Sequence, residues 1–461
     1  MNLRKCEWIS SRDTPPPTAF NLIPHNTTFN TSIVSVPIGD DNFKQEQMEK
    51  KSKELDTQLN NLNKLQHYQS SLLLLRHSLN ISKANYFLRA SFADPRHRWA
   101  FKFDNKIRSC METIIGRPLT DSNWQQCQLP LKYGGFGLRT IGNYASASFI
   151  ASVTAATPII STIHRNTNIS QWTDTQELDN AIAHYNSLTK EAHNIRSITT
   201  IPTQASLSKS ISINATHTFT SNANHRTRAM LTALSTKHSS AFLQAPPNKY
   251  SRTMLDNIEF QTITRLRLSL VVSVDEKCHG GGSCEHKMDQ HGDHALTCIH
   301  GKGRIARHDK VVACITNILK RAELHHRREL KIDANNNERP GDFGLKWFDD
   351  PNDLTLFDVG ITHAHIANNY TNELHAEEQY YDRKNNKSLQ KCIDQGISYV
   401  PLIAETTGGW HKVAIEFFNK VAKTLADKEN RTEQNARKTI FQKVSVALQK
   451  ANAISIWSHC R

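Results

Sequence analysis

Long apolar runs are missing from this sequence. The stretch at 72–75 is typical of the longest, far short of the roughly 20 residues that cross a bilayer. With apolar residues at 38%, a polytopic membrane protein is excluded and no span is predicted. A secretory signal is missing too, because the first five residues run straight into Cys6, Glu7 and the prolines at 15–17 with no apolar core. The chain is therefore expected inside the cell. Nine cysteines, at 6, 110, 127, 278, 284, 298, 314, 392 and 460, form an odd and scattered set unlike a disulfide framework. Acid is scarce relative to base. Lys and Arg number 57 against 43 Asp and Glu, a formal +14 at pH 7 with 23 histidines besides. That excess favours a polyanionic partner, either nucleic acid or an anionic membrane surface.

What is present is 461 residues, enough for about two to four domains. Residues 1–40 carry Pro, Thr and Asn with little periodicity and read as an extended or remnant segment. Residues 41–156 read as a helical bundle. Phe43, Met48, Leu55, Leu59, Leu62 and Leu65 recur at mostly helical spacing, a second apolar segment covers 72–79, and Trp99, Phe103, Ile107, Cys110, Met111 and Ile114 make one stripe. Trp99 and Phe103 are expected in the core rather than stacked on bases. Residues 157–270 read as a connecting region, rich in Ser, Thr, Asn and His to about residue 250, with no assigned order.

The remainder alternates elements. A helix is predicted over 304–323 and strands over 329–332, 343–347 and 354–361. A basic helix follows over 374–394, then a strand over 398–404, an amphipathic helix over 410–425 and a last helical segment over 429–461. A three-strand meander followed by a helical crossover gives a mixed sheet with helices packed on it. The expected fold is thus multidomain, an α-helical N-terminal half plus a C-terminal α/β domain.

Two constellations carry chemistry. Cys278, Cys284, His294 and Cys298 stand together with Gly280 to Gly282 to let the chain turn; thiolates with imidazole suit a tetrahedral Zn²⁺ of structural type. The bland alternative is a His-rich loop with incidental cysteines, with His279, His286 and His291 as spare imidazoles. The second constellation is acidic. Glu329, Asp342 and Asp358 lie on or beside neighbouring predicted strands, and carboxylates so placed make an oxygen site for Mg²⁺ or Mn²⁺. Lys384 and Lys387 share one face of the next helix, where a lysine orients water or neutralises a phosphate. Arg321, Arg327 and Arg328 offer a positive face for phosphates, or else a solvated helix end.

Arg307-His308-Asp309, Arg339-Pro-Gly-Asp342, Asp358-Val-Gly-Ile-Thr362, Lys384-Asn-Asn-Lys387 and the Leu402 to Trp410 segment, all downstream of the Cys/His cluster, resemble the restriction-like endonuclease of non-LTR retrotransposon polyproteins. That family is similar in fold to the PD-(D/E)xK nucleases. The resemblance implies a nuclease over 304–428 with Asp342 and Asp358 as metal ligands and Lys384 and Lys387 as catalytic lysines displaced onto a helix. It also implies a CCHC zinc knuckle over 271–303 and a DNA-contacting basic motif at Arg307 and His308. Two departures stand out: Gly341 separates Pro340 from Asp342, and Gly360 occupies the place where the wider class puts lysine two residues after the acid.

Upstream, the segments around Pro37-Ile-Gly39, Leu73 to Arg76, Tyr86 to Arg89 and Leu129 to Arg139 resemble the thumb and connection that follow a reverse-transcriptase palm. The palm itself is not expected here. Asp40-Asp41 and Phe348-Asp349-Asp350 are decoys in turn-like surroundings, and the chain reads as the back half of a longer polyprotein. The implied activity is metal-dependent nicking of target DNA, with element RNA as a possible second ligand, no membrane partner and a nuclear location. The alternative is a catalytically inactive nucleic-acid-binding remnant, or a decayed element with no selected function.

Overall fold

The protein was analysed as a computed structural model, which describes residues 6–11, 14–92, 94, 97–163, 175–195, 202–281, 284–332, 338–347, 354–363 and 376–460. The Phe348-Asp349-Asp350 turn and Gly282 lie outside the described residues. Two compact units arise, each from separated stretches: Met1–Lys64, Leu74–Met111 and Arg139–Ala215 build the first, and Leu65–Leu73, Glu112–Leu138 and Thr216–Arg461 the second.

The first unit is helical apart from two short ladders, β1 (Trp8–Ile9) with β2 (His25–Asn26) and β3 (Thr31–Ile33) with β4 (Val36–Ile38). Helix α1 (Asp41–Lys64) buries Met48, Leu55, Leu59 and Leu62 of the predicted stripe together with Ser52, while Phe43 is half-buried and Leu65 lies exposed beyond the helix end. Helices α2 (Tyr68–Ser78) and α3 (Asn85–Ala90) lead to α4 (Arg98–Ile115), whose Trp99 and Phe103 are core residues at 2% and 4% exposure. Lys106 of α4 donates to Ser52 O and Asp56 Oδ2 of α1 at 2.9 and 2.8 Å. The next helix in the chain, α5 (Asp121–Gln128), belongs to the second unit; in the first, α6 (Ile141–Ile163) starts on a buried cap, with Asp104 accepting the Ile141 N–H at 2.9 Å. Burial pushes the Asp104 carboxyl up to about 7.

Helix α6 departs from the sequence reading, being long and apolar enough to cross a membrane by length and composition. Its apolarity comes from alanines and isoleucines interleaved with Ser and Thr, so no unbroken run signals it. Residues Ala145 to Ala151 are buried while Ile159 and Ile163 are exposed. The supposed connecting region is also more ordered than its composition suggests, for it holds α7 (Gln176–Leu188), α8 (Gln204–Asn222) and α9 (His225–Leu234). Hydroxyls on these helices bond back to carbonyls one turn earlier, Ser212 to Ser208 O at 2.8 Å and Thr232 to Arg228 O at 3.1 Å. Ser and Thr are thereby accommodated inside helices.

In the second unit, α10 (Asn257–Arg267) opens with a capping box of Asp256 and Glu259. Short α11 (Asp293–Thr297) and long α12 (Gly303–Arg321) precede a four-stranded sheet of β5 (His326–Arg328), β6 (Phe343–Lys346), β7 (Leu354–Thr362) and β8 (Ser398–Glu405) in that order. The first strand lies three residues before its predicted place, so Glu329 follows β5 instead of opening a strand. β5, β6 and β7 run antiparallel, and β8 joins β7 in parallel after the crossover helix α13 (Ala376–Ile393). This is the predicted meander and crossover, and the sheet is mixed.

Alternation along the strands makes the layers. Phe357 and Val359 face one core together with Phe343, α12, α14 (Lys412–Lys428) and α15 (Glu433–Trp457), whereas Leu356 and Tyr399 face α13 with Cys392. Helix α15 is no appendage. Its apolar side carries Ile440, Phe441, Val444 and Leu448 into the core. A second stripe is polar: Gln442 donates to Gln244 O, Gln449 and Asn452 to Thr406 O, and Ser455 to Ala295 O, at 2.7, 3.0, 2.7 and 3.2 Å. These bonds satisfy carbonyls that loops would otherwise bury unpaired.

Candidate metal centre and active site

The Cys/His centre is assembled by two local devices. An isolated bridge between Lys277 and Lys287 holds the segment carrying Cys278 and Cys284, and His294 and Cys298 are four residues apart across α11, on one face of its single turn. Cys298 Sγ lies 3.9 Å from Cys278 Sγ and 3.7 Å from Cys284 Sγ, and Cys284 Sγ is 3.5 Å from His294 Nε2. Zn–S bonds of about 2.3 Å and Zn–N bonds of about 2.0–2.1 Å set tetrahedral separations of about 3.8 and 3.6 Å. The four ligand atoms, all within 4.8 Å of one another, therefore fit such an ion and can hold it.

Burial raises the Cys278 thiol and pushes Cys298 up to about 12, while the backbone N–H of His286 lowers Cys284. Burial, followed by the charge of the stacked His286 ring, lowers His294 and keeps its imidazole neutral, the form that binds metal.

The centre is tied to the sheet beside it. Asp293 accepts from both terminal nitrogens of Arg226, through Nη2 at 2.9 Å, and meets His363 Nε2 at 3.2 Å; His363 Nδ1 lies 2.6 Å from Thr406 Oγ1. Arg307 belongs to this framework and not to a DNA-binding face. It is 3% exposed, with Nη2 donating to Leu296 O at 2.9 Å and Nη1 reaching Asn452 Oδ1 at 3.5 Å. A phosphate does not reach a guanidinium so enclosed, and that expectation is corrected.

Two of the three predicted acids, Asp342 and Asp358, lie where β6 begins beside β7. Asp342 N–H donates to Phe357 O at 2.8 Å while its Oδ2 accepts Val359 N–H at 2.7 Å, so this one residue brackets Asp358 from the neighbouring strand. Gly341 allows the approach, since a Cβ there would lie 3.1 Å from Phe357 O. Asp358 points toward α13. Lys384 Nζ donates to both its oxygens, at 3.0 and 2.8 Å, and Tyr399 Oη donates to Oδ2 at 2.6 Å. His308 partners the other acid, with Nε2 3.0 Å from Asp342 Oδ2 and Nδ1 3.2 Å from Asp309 Oδ1. Burial opposes its charge, but the hydrogen bond and charge of Asp342, helped by Asp309, outweigh burial and raise its pKa. His308, unlike the enclosed Arg307, is part exposed and faces Asp342.

The other expected members stand apart. Glu329 donates its N–H to Asp342 O at 2.9 Å, but its carboxylate is exposed and paired with Arg339. Lys387 is exposed one turn beyond Lys384, and Arg327 and Arg328 are exposed on the edge strand β5.

The departure at Gly360 has a structural reason. A Cβ there would sit 2.5 Å from the Tyr380 ring and 2.6 Å from Ile403, so the place a lysine would take is filled by an aromatic ring of α13. Lys384, one turn further along that helix, reaches the acid instead. Gly360→Lys is accordingly expected to destabilise the fold by about 1–3 kcal/mol, read as a lowered midpoint in thermal melts, with partial recovery when Tyr380→Ala is added.

At the far end of the α13 interface, Glu405 is fully buried against Glu377, with Thr407 Oγ1 donating to Oε2 at 3.0 Å. Burial, then repulsion from Glu377 and the hydrogen bond shared with it, holds the Glu405 carboxyl well above its ordinary 4.5. The folded chain keeps a proton that the unfolded chain releases. The stability this gives is complete below about pH 4.5 and is lost as pH rises through the folded value. Melts from about pH 5 to 9 should show Glu405→Gln gaining on wild type as pH increases, by up to about 1.4 kcal/mol per pH unit.

Compared with protein-family models and with curated proteins, the chain matches none.

Proposed function

We propose that this chain is a divalent-metal-dependent DNA endonuclease, the nuclease and nucleic-acid-binding portion of a retroelement polyprotein, acting on DNA in the nucleus with element RNA as a further ligand. The observation that carries the reading is the pairing of Asp358 on β7 with Lys384 of the crossover helix at 2.8 Å, with Asp342, just before β6, bonded to the neighbouring Val359 N–H and Tyr380 filling the slot at Gly360.

The donor chemistry fits Mg²⁺ or Mn²⁺, because the two residues offer hard carboxylate oxygens. Asp342 also keeps Oδ1 clear of hydrogen bonds from the described residues, and its side chain is 20% exposed. A bound ion supplies charge that generates the nucleophile and steadies the phosphodiester under attack. Lys384 then lies within reach of a scissile phosphate, and His308 holds Asp342. On this reading the sheet with α12 and α13 is the restriction-like core, the Cys₃His centre is the knuckle that braces it, and the helical first unit corresponds to the thumb.

The test is a plasmid-nicking assay with Mg²⁺ or Mn²⁺, wild type against Asp342→Ala and Asp358→Ala. Equal nicking by all three proteins sinks the site. No nicking by wild type on any duplex favours a binding remnant.

A further inference from the structure

Asp358 is already partnered on both carboxylate oxygens, and one of its partners is a cation. Lys384 Nζ touches both oxygens, at 3.0 Å on Oδ1 and 2.8 Å on Oδ2, and the Tyr399 hydroxyl adds a 2.6 Å bond to Oδ2. The cluster is largely shielded from water, with Asp358 and Lys384 side chains 11% and 23% exposed and Tyr399 6% exposed. In such surroundings two cations on one carboxylate repel strongly, since screening by solvent is weak. The two neutralising groups also differ in freedom. Tyr399 is fixed in β8 with its ring packed beside Leu356 and Cys392. Lys384 hangs from the surface of α13 on a flexible stem, its ammonium 5.9 Å from the Tyr380 ring centroid.

We infer that Lys384 and a divalent cation are alternative occupants of Asp358: the cation takes Oδ1 and releases the lysine ammonium outward, while Tyr399 keeps Oδ2 and holds the carboxylate in place. Lys384 is then a competitor for the ion in the resting protein and is set free by the ion to meet a phosphate. The inference rests on the metal-site part of the proposed function but not on DNA cleavage itself.

It makes an unusual demand, that removing a residue needed for nicking tightens metal binding. Calorimetric titration of Mn²⁺ into the full zinc-loaded chain, without DNA, reads it directly. Lys384→Met is expected to bind Mn²⁺ at least about tenfold more tightly than wild type, the equivalent of one charged hydrogen bond relinquished. Lys384→Arg, which keeps the charge, should bind like wild type, and Asp358→Asn should lose the site. Matching melting curves for the two lysine variants exclude a folding artefact. Equal or weaker binding by Lys384→Met overturns the inference, as does an absence of Mn²⁺ binding in every variant. Nicking is scored separately: tighter binding without wild-type nicking upholds the exchange and defeats the nuclease reading, while nicking without tighter binding does the reverse.

Discussion

Cys298→Ser is expected to strip the chain of zinc and lower its thermal midpoint by about 10 °C. The reason is geometric. Cys298 Sγ is in contact with both other thiols, 3.9 and 3.7 Å away, so its loss opens the tetrahedron instead of trimming one corner. Burial has already pushed its thiol up to about 12, and only a cation makes a buried cluster of thiolates tolerable. Loss of a structural metal typically costs several kcal/mol, and each kcal/mol shifts the midpoint of a domain of about 150–250 residues by about 2–4 °C. The damage should spread beyond the centre, since Leu296 O and Ala295 O of α11 anchor Arg307 and Ser455. Atomic emission and melting curves measure both effects together. Cys6→Ser, outside the cluster, should keep metal and midpoint alike; full zinc retention by Cys298→Ser would remove the centre from consideration.

The second large effect is catalytic. On the proposed function, Asp358→Ala should reduce nicking at least about a thousandfold, because the variant would lose an oxygen of the proposed metal site and leave Lys384 and Tyr399 without the acceptor they share. Asp342→Ala should do nearly as much. Glu329→Ala is expected to stay within a few-fold of wild type, since that carboxylate is spent on Arg339. The contrast between these acids separates the site built by the fold from the one assembled by listing carboxylates. Supercoiled-to-open-circle conversion followed against time, with melts to verify folding, gives the comparison.

Much of the second unit was legible in its residues. Turn-forming Asn, Pro, Gly and Asp bound the strands; the parity of β7, which puts Asp358 on the side opposite Phe357, is legible there too but goes unused in the sequence reading. The same parity held an unread signal, because Tyr399 shares the α13-facing side of β8, and a hydroxyl there needs a polar partner. Read only as an apolar strand residue, it was missed. Helix α15 is read as a last helical segment over 429–461, but its place at the centre of the core is not legible there, for a different reason. Gln442, Ser445, Gln449 and Asn452 are all buried, so a helix packed on nearly every side shows no clean apolar face. Arg307 shows the opposite error, since a basic motif says nothing about which of its members the tertiary structure encloses.

The interleaving of the two units carries a kinetic consequence. Residues Leu65–Leu73 and Glu112–Leu138 find their places only among Thr216–Arg461, and Gln69 donates to Ala245 O and Thr253 O across more than 170 intervening positions. Loops of that span must close before their contacts repay the lost entropy. The core that α12 and the sheet share with α15 is complete only when α15 is in place. Until then the apolar faces of α12 and the sheet lack the residues of α15 that cover them, and the cluster around Asp358 rests on a sheet whose core is completed late.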